Sequence, residues 1–353
     1  MDTYLLKCQE HDSPAVQDFV LKNNGTIVYS SPILPIISVS IDDFVKQQIE
    51  REFNLEYIIK DPVGKLQDVE GNVTSITKNN TLNIVPSLNF SKLRNSNYIG
   101  WGATVGVIDS GVSESWVSEQ YDFTGYGTTP HHDHGTKVAN IIKSVAQGAK
   151  INSYKVTQDG RVSGTHFFQA VDAAIQKVDI LNLSLGFDTT CSPDQLCPFC
   201  EYVNYYTQNE GKLFIVAAGN HGLENSVQCP GRAQDAITVG AIKGYANELA
   251  DYSSRGVPGI KKPNILTSGT IYFNHEQCEG TSFATPVITG VCTTVFPKLS
   301  KDIAKTKSFL YESAIDIGLP EHHQGFGLFD LDKFMEVLLD GEINDTSKGQ
   351  EQN

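Results

Sequence analysis

The chain has 353 residues, of which 40 % are hydrophobic, and a formal net charge of −14 at pH 7. This length suits one large α/β domain with a smaller unit beside it, and the composition is that of a globular protein with a sizeable core. The acidic balance disfavours nucleic acids and anionic membrane surfaces as main partners.

The N-terminal sequence MDTYLLKCQEHDSP lacks a basic start followed by an apolar run, so we do not expect it to be a secretory signal. No stretch approaches the roughly 18 apolar residues of a membrane helix. Seven cysteines, an odd number, favour a reducing compartment. We therefore expect a cytoplasmic protein, which would be secreted only if a leader had been removed.

Residues 1–65 predict a small α+β unit. Strand-like runs occupy 3–7, 26–30, 33–40 and 56–60, and helix-like periodicity occupies 13–22 and 42–52. The order βαββαβ is that of a ferredoxin-like unit. The following residues, 61–85, are polar and weakly periodic, which is typical of a linker. Because the small unit is taken to end at residue 65, we assign residues 66–85 as the linker and the processing region.

From residue 86 to 340, buried strands alternate with helices. Runs rich in β-branched residues predict strands at 103–108, 150–156, 180–185, 213–218 and 236–241. Helices are predicted at 135–145, 164–177, 201–209 and 282–296. This alternation indicates a doubly wound, mainly parallel sheet with helices on both faces. The polar residues 341–353 predict a disordered tail.

Three segments carry candidate catalytic side chains. VGVIDSGV puts Asp109 at the carboxyl end of a buried strand, where open α/β sheets place functional groups, although an Asp that caps a turn would have the same pattern. HHDHGTKVANII puts His134 just before a helix. EGTSFATPVITG puts Ser282 at the start of a helix, either as a plain N-cap or as a nucleophile whose oxyanion the helix N-terminus would favour.

Together, VIDSG, HGT and GTSxATP resemble the subtilisin family, in which Asp, His and Ser occur in this order. FIVAAGNHG, which contains Asn220, and LNLSLG match two further family segments, and the resemblance covers about residues 86–339. It implies a serine endopeptidase in which Ser282 attacks, His134 transfers the proton and Asp109 holds the imidazole. Asn220 and the backbone N–H of Ser282 would stabilise the oxyanion. The alternative is a catalytically silent scaffold that binds a peptide.

The resemblance also implies two walls for a bound peptide, formed by Ser184, Leu185 and Gly186 and by Ala217, Ala218 and Gly219. The first wall would pair with the peptide as an added strand. Gln228 would lie at the base of the primary pocket, where relatives often have a small residue. We expect it to narrow or polarise that pocket.

In the same family, a βαββαβ unit of this kind is a propeptide. The resemblance implies that residues 1–65 help the catalytic domain to fold and then inhibit it, and that the chain is a zymogen that cleaves itself between residues 61 and 85. An unrelated small domain fused to the protease is the alternative.

Two departures from the family pattern concern metals. Many relatives bind calcium tightly in a loop inserted after the catalytic His. Here the helix leads almost directly to Lys150, and no cluster of oxygen ligands follows, so we expect this calcium site to be absent and no cofactor to be needed for catalysis.

Four cysteines form the second departure. Cys191, Cys197 and Cys200 lie within ten residues, and Cys229 lies in the turn near the expected pocket. The CPxC step suggests a structural zinc site. Disulfide bridges and reduced, unliganded thiols fit the spacing equally well.

Overall fold

The computed structural model describes residues 1–67, 83–84, 89–188, 197–244, 247–273 and 276–350. For residues 83, 84, 276 and 341–350 it describes the backbone alone. None of the helices in these described parts combines the length and apolar character needed to span a bilayer.

The N-terminal unit has the predicted order βαββαβ. Its elements are β1 (Asp2–Cys8), α1 (Ser13–Lys22), β2 (Thr26–Ser30), β3 (Ile36–Ile41), α2 (Asp43–Glu52) and β4 (Leu55–Lys60). The strands form an antiparallel sheet in the order β2-β3-β1-β4. Because side chains alternate along a strand, Tyr4 and Leu6 of β1 face the core with α1 and α2, whereas Leu5 packs into the core of the larger domain.

The predicted linker contains regular structure. Val63–Leu66 forms β5 and Asn83–Ile84 forms β6. The prediction was wrong for these residues because each strand is formed by pairing with distant parts of the chain rather than by its own residue pattern. The rest of the predicted linker, residues 68–82 and 85, lies outside the described residues.

The larger domain contains the remaining described strands, which are β7 (Thr104–Asp109), β8 (Glu119–Asp122), β9 (Lys150–Lys155), β10 (Arg161–Ser163), β11 (Ile180–Leu183), β12 (Leu185–Gly186), β13 (Leu213–Ala217), β14 (Ile237–Ile242), β15 (Ile265–Ser268), β16 (Thr270–Phe273), β17 (Glu276–Glu279), β18 (Ala314–Ile315) and β19 (Leu328–Phe329). Its described helices are α3 (Ser91–Asn95), α4 (His134–Val145), α5 (Gly164–Ile175), α6 (Pro198–Glu210), α7 (Thr281–Val295), α8 (Ile303–Glu312), α9 (Glu321–Gln324) and α10 (Leu331–Gln350).

Within the described residues, the main sheet has the order β18-β19-β15-β14-β13-β11-β7-β9-β8. Its strand pairs are parallel except for β18 with β19. Helices cover both faces. Val105 and Val107 of β7 pack into a core with α4 and α7, and Ile108 packs into a core with α5 and α6. The predicted doubly wound, mainly parallel sheet is confirmed.

The C-terminal segment differs from its prediction. Where the polar composition predicted a disordered tail from residue 341, α10 continues to Gln350. A helix already formed by Leu331 and its neighbours gains one backbone hydrogen bond for each residue added, which offsets the weak apolar character of the extension. Residues 351–353 lie outside the described residues.

Candidate active site

The carboxyl end of β7 and the start of α4 bring Asp109 and His134 together. His134 Nδ1 lies 2.8 Å and 3.0 Å from the two carboxylate oxygens of Asp109, and both side chains are at most 1 % exposed. Gly135 makes this approach possible, because a Cβ there would lie 2.4 Å from the Gly111 carbonyl oxygen. A carboxylate at Nδ1 holds the proton on that nitrogen and directs Nε2 away from Asp109.

Ser282 is the second residue of α7 and is fully buried. Its hydroxyl donates to the Ser184 carbonyl oxygen at 3.2 Å. The ring of Phe283, the next residue, lies 5.5 Å from the His134 imidazole. The start of α7 therefore lies beside the Asp109–His134 pair, where the first N–H groups of the helix have no partner within the helix itself.

Asn220 follows β13 and faces the same helix start. Its Oδ1 accepts hydrogen bonds from the N–H of Thr281 at 3.0 Å and from the hydroxyl of Thr281 at 2.9 Å. These bonds orient the amide, and its Nδ2 is buried without a hydrogen-bond partner among the described residues. A buried donor without an acceptor costs about 1–3 kcal/mol, so the site holds this donor in place at a cost to stability.

The segment that contains β5 occupies the cleft next to these residues. It lies between β10 and β12 and pairs antiparallel with both. The Leu66 N–H donates to the Gly160 carbonyl at 3.0 Å, and the Gln67 N–H donates to the Ser184 carbonyl at 3.1 Å. The Gln67 carbonyl then accepts from the Ser282 N–H at 3.0 Å. Part of the chain itself therefore lies beside Ser184, Leu185 and Gly186 as an added strand.

Gln228 lies between the two predicted walls. A Cβ on Gly186 would lie 2.8 Å from Gln228 Oε1, and a Cβ on Gly219 would lie 2.5 Å from the same atom. The Gln228 side chain is 6 % exposed, and its Oε1 has no hydrogen-bond partner among the described residues. Ala217 and Ala218 are buried beside it, and the Ala218 carbonyl accepts from the Gln228 N–H at 2.9 Å.

Two polar residues that the sequence analysis did not single out complete this pocket. Gln228 Nε2 donates to Asp188 Oδ1 at 2.7 Å, and His221 Nε2 lies 2.6 Å from the same oxygen. Partial burial opposes ionisation of Asp188, but the bonds from His221 and Gln228 lower the pKa of its carboxyl below the usual value. Position was their only signal in the sequence: Asp188 lies two residues after the wall residue Gly186, and His221 directly follows Asn220.

Three of the four predicted cysteines lie together. The Sγ atoms of Cys197, Cys200 and Cys229 all lie within 4.8 Å of one another, and the three residues are buried. Cys191, the fourth, lies outside the described residues.

The architecture is that of subtilisin-like proteins of known structure. Fervidolysin from Fervidobacterium pennivorans, a keratinolytic enzyme related to subtilisin, matches with a TM-score of 0.74 and 18 % identity over 95 % of this chain and 61 % of its own. A lanthipeptide protease matches with a TM-score of 0.61 and 17 % identity over 70 % of this chain and 91 % of its own. At these identities the likeness shows the fold alone.

Sequence comparison shows the family. The subtilase family model (peptidase S8) matches residues 100–327, and the chain belongs to that family. Human membrane-bound transcription factor site-1 protease is 30 % identical over 282 residues, which is 68 % of this chain and 26 % of the relative. Subtilisin E of Bacillus subtilis strain 168 is 25 % identical over 312 residues, 80 % of this chain and 76 % of its own. The chain thus spans about a quarter of the length of the human relative. The family assignment from the ordered motifs is confirmed.

Proposed function

We propose that the protein is a serine endopeptidase that acts through Asp109, His134 and Ser282, and that it is made as a zymogen that cleaves itself after Gln67. The observation that carries this proposal is the 3.0 Å hydrogen bond from the Ser282 N–H to the Gln67 carbonyl oxygen. It puts one peptide carbonyl at the start of α7, beside the nucleophile candidate. A substrate peptide would take the same place as an added strand.

The chemistry follows from the side chains around that carbonyl. Ser282 Oγ would attack the carbonyl carbon and pass its proton to His134, while Asp109 stabilises the resulting imidazolium. The buried amide of Asn220 and the Ser282 N–H would bind the developing oxyanion. The C–N bond then breaks as His134 protonates the leaving amine, and water hydrolyses the acyl-enzyme by the reverse proton route. The hydroxyl must first turn from Ser184 towards His134, and such loose contacts before reaction are common in hydrolases.

Contacts between the N-terminal unit and α5 support its assignment as propeptide. Tyr29 donates a hydrogen bond to Asp172, and the hydroxyls of Ser38 and Thr165 lie 2.6 Å apart. The Asp61 carboxylate accepts from the N–H of Thr165 at 3.1 Å and from its hydroxyl at 2.9 Å, at the start of α5. These contacts fix the chain just before β5.

The unit also contacts α6, where Lys7 forms an ion pair with Glu201 at 2.9 Å. A parallel sheet needs many non-local pairings and folds slowly, so a small antiparallel sheet held against two of its helices would lower that barrier. After cleavage, the same contacts would keep residues 63–67 in the cleft as an inhibitor.

The test is to compare the wild-type chain with Ser282→Ala and with a matched control, Ser308→Ala, which changes an exposed serine on α8. Intact-mass and N-terminal analysis should find a new chain beginning at Asp68 in the wild type and the control, and a single full-length chain in Ser282→Ala. The wild type and Ser308→Ala should hydrolyse members of a peptide library, and Ser282→Ala should not. Cleavage of pure Ser282→Ala at the same bond would refute the catalytic assignment. A folded wild type that binds peptides without cutting them would instead indicate a silent scaffold.

A further inference from the structure

We propose that Cys197, Cys200 and Cys229 bind one zinc ion through their thiolates, at a site next to the primary pocket and separate from the catalytic residues. The three Sγ atoms already lie within 4.8 Å of one another in the interior of the protein. In a tetrahedral zinc site with Zn–S bonds of about 2.3 Å, the sulfurs are about 3.8 Å apart. Closing the cluster on an ion therefore needs movements of about 1 Å, which side-chain rotation can provide.

The number of thiols favours a metal over a disulfide. A disulfide brings two sulfurs to about 2.05 Å and uses only two cysteines, which leaves the third thiol buried beside the bridge. A zinc ion uses all three and accepts water as a fourth ligand. Soft thiolate ligands select zinc over calcium or magnesium. Bridge formation would also need an oxidant, whereas zinc binding needs only the loss of protons from the thiols.

The local electrostatics favour thiolates. Cys197 is the N-cap of α6, a helix of 13 residues, and Cys200 lies in its first turn. The positive end of the helix dipole stabilises negative charge there.

The site would connect two parts of the pocket. Phe187 follows the wall residue Gly186, and its N–H donates to the Cys229 carbonyl at 2.8 Å, while the Cys229 N–H donates back at 3.2 Å. Cys229 also directly follows Gln228. A metal bound to Cys229 and to the start of α6 would therefore hold the pocket base against a rigid helix. This role rests on the proposed protease function, but metal binding does not.

The experiment uses the full-length chain carrying Ser282→Ala, so that its outcome does not depend on cleavage. The reduced protein is loaded with zinc, passed through a desalting column and assayed by elemental analysis. We expect one zinc per chain. Cobalt(II) added to the reduced apo-protein should give the charge-transfer absorption of thiolate-bound cobalt, and zinc should displace it.

Single substitutions locate the ion. Cys197→Ser, Cys200→Ser and Cys229→Ser should each lower zinc affinity by more than the roughly 10–100-fold typical of outer-shell changes. The matched control is Cys278→Ser, a half-buried cysteine on β17 outside the cluster, which should keep the full affinity. Because a core substitution can unfold the protein, alkylation of the chain with all its cysteines provides a second readout. Zinc should protect the three thiols from alkylation and leave Cys278 unchanged.

Clear results would overturn the proposal. One such result is that folded, reduced protein binds less than a tenth of an equivalent of zinc. Another is that Cys278→Ser loses as much zinc as the three cluster variants do. A third is that zinc does not slow alkylation of the three thiols. A disulfide between two of them that, once reduced, leaves a protein unable to take up zinc would also overturn it.

Discussion

Replacing Gln228 should open the primary pocket to large side chains. The Gln228 side chain lies between Gly186 and Gly219. A Cβ added to either glycine would lie within 2.8 Å of Gln228 Oε1, so this atom fills the space between the two walls. Gln228→Ala removes the four side-chain atoms beyond Cβ and leaves space of the size of a small aliphatic side chain. The residue that precedes the scissile bond of a substrate would then reach between the walls.

The size of the effect follows from buried area. An aromatic ring buries about 150–250 Å² at about 25 cal/mol per Å², or about 4–6 kcal/mol when buried completely. If the opened space receives about half of a phenylalanine ring, the gain is about 2–3 kcal/mol, which is about 30–160-fold in kcat/KM. A substrate with Asn at that position should instead lose about 2–10-fold, because Oε1 is the buried acceptor its amide would use.

The assay is kcat/KM for matched peptides that differ only in Phe, Ala or Asn before the cleaved bond. The control is Gln208→Ala, an exposed glutamine on α6 that donates to Asp235. The Phe-to-Ala ratio should rise for Gln228→Ala and stay constant for the control. A ratio that changes less than twofold in both variants would show that Gln228 does not form the pocket base.

Four further outcomes are expected. Asn220→Ala should lower kcat by about 10²–10³ with little change in KM, since its buried donor acts on the developing oxyanion; a loss confined to KM would contradict that role. A calcium-selective chelator should leave the melting temperature unchanged, because only residues 146–149 separate α4 from β9; a drop that calcium reverses would reveal a site. A fragment of residues 1–67 should inhibit the cleaved enzyme, and Lys7→Ala should weaken it measurably through loss of the ion pair with Glu201. The contribution of Asp172 to the stability of the full-length Ser282→Ala chain, measured from its melting temperature, should also fall as the pH rises above the ordinary carboxyl range. Burial raises the pKa of Asp172 in the folded chain, against hydrogen bonds from Tyr206, Tyr29 and Tyr202, so its contribution to stability is present below the ordinary pKa and is lost as the pH rises through the raised one; Asp172→Asn should flatten this profile.

The sequence predicted the parts of the fold that depend on local pattern. The buried runs that became β7, β13 and β14 are rich in β-branched residues, and the periodicity that became α4 is strong. The strand β5 could not be predicted, because Val63–Leu66 becomes a strand only through pairing with β10 and β12, which lie far along the chain.

In the candidate site, too, the residues in local motifs could be predicted, and those placed by contacts distant in sequence could not. Asp109, His134, Ser282 and Asn220 could be located because each stands in a short ordered motif. Asp188 carries no motif, and its contact with Gln228 depends on how two loops meet in space. The position of Gln67 at the Ser282 N–H likewise follows from the packing of the N-terminal unit, since nothing around it in the sequence distinguishes that peptide bond.

The three-stranded arrangement of β10, β5 and β12 has a consequence for what the enzyme could digest. A substrate that replaces β5 must offer both edges of its backbone to the enzyme at once, because strands pair with it on either side. A residue within a native helix or an internal strand has already committed those N–H and C=O groups. Cleavage of a folded protein would therefore need a stretch as long as residues 63–67 to detach from its own fold first. Its rate would report the local unfolding free energy of the target, and disordered segments would be cut long before compact domains.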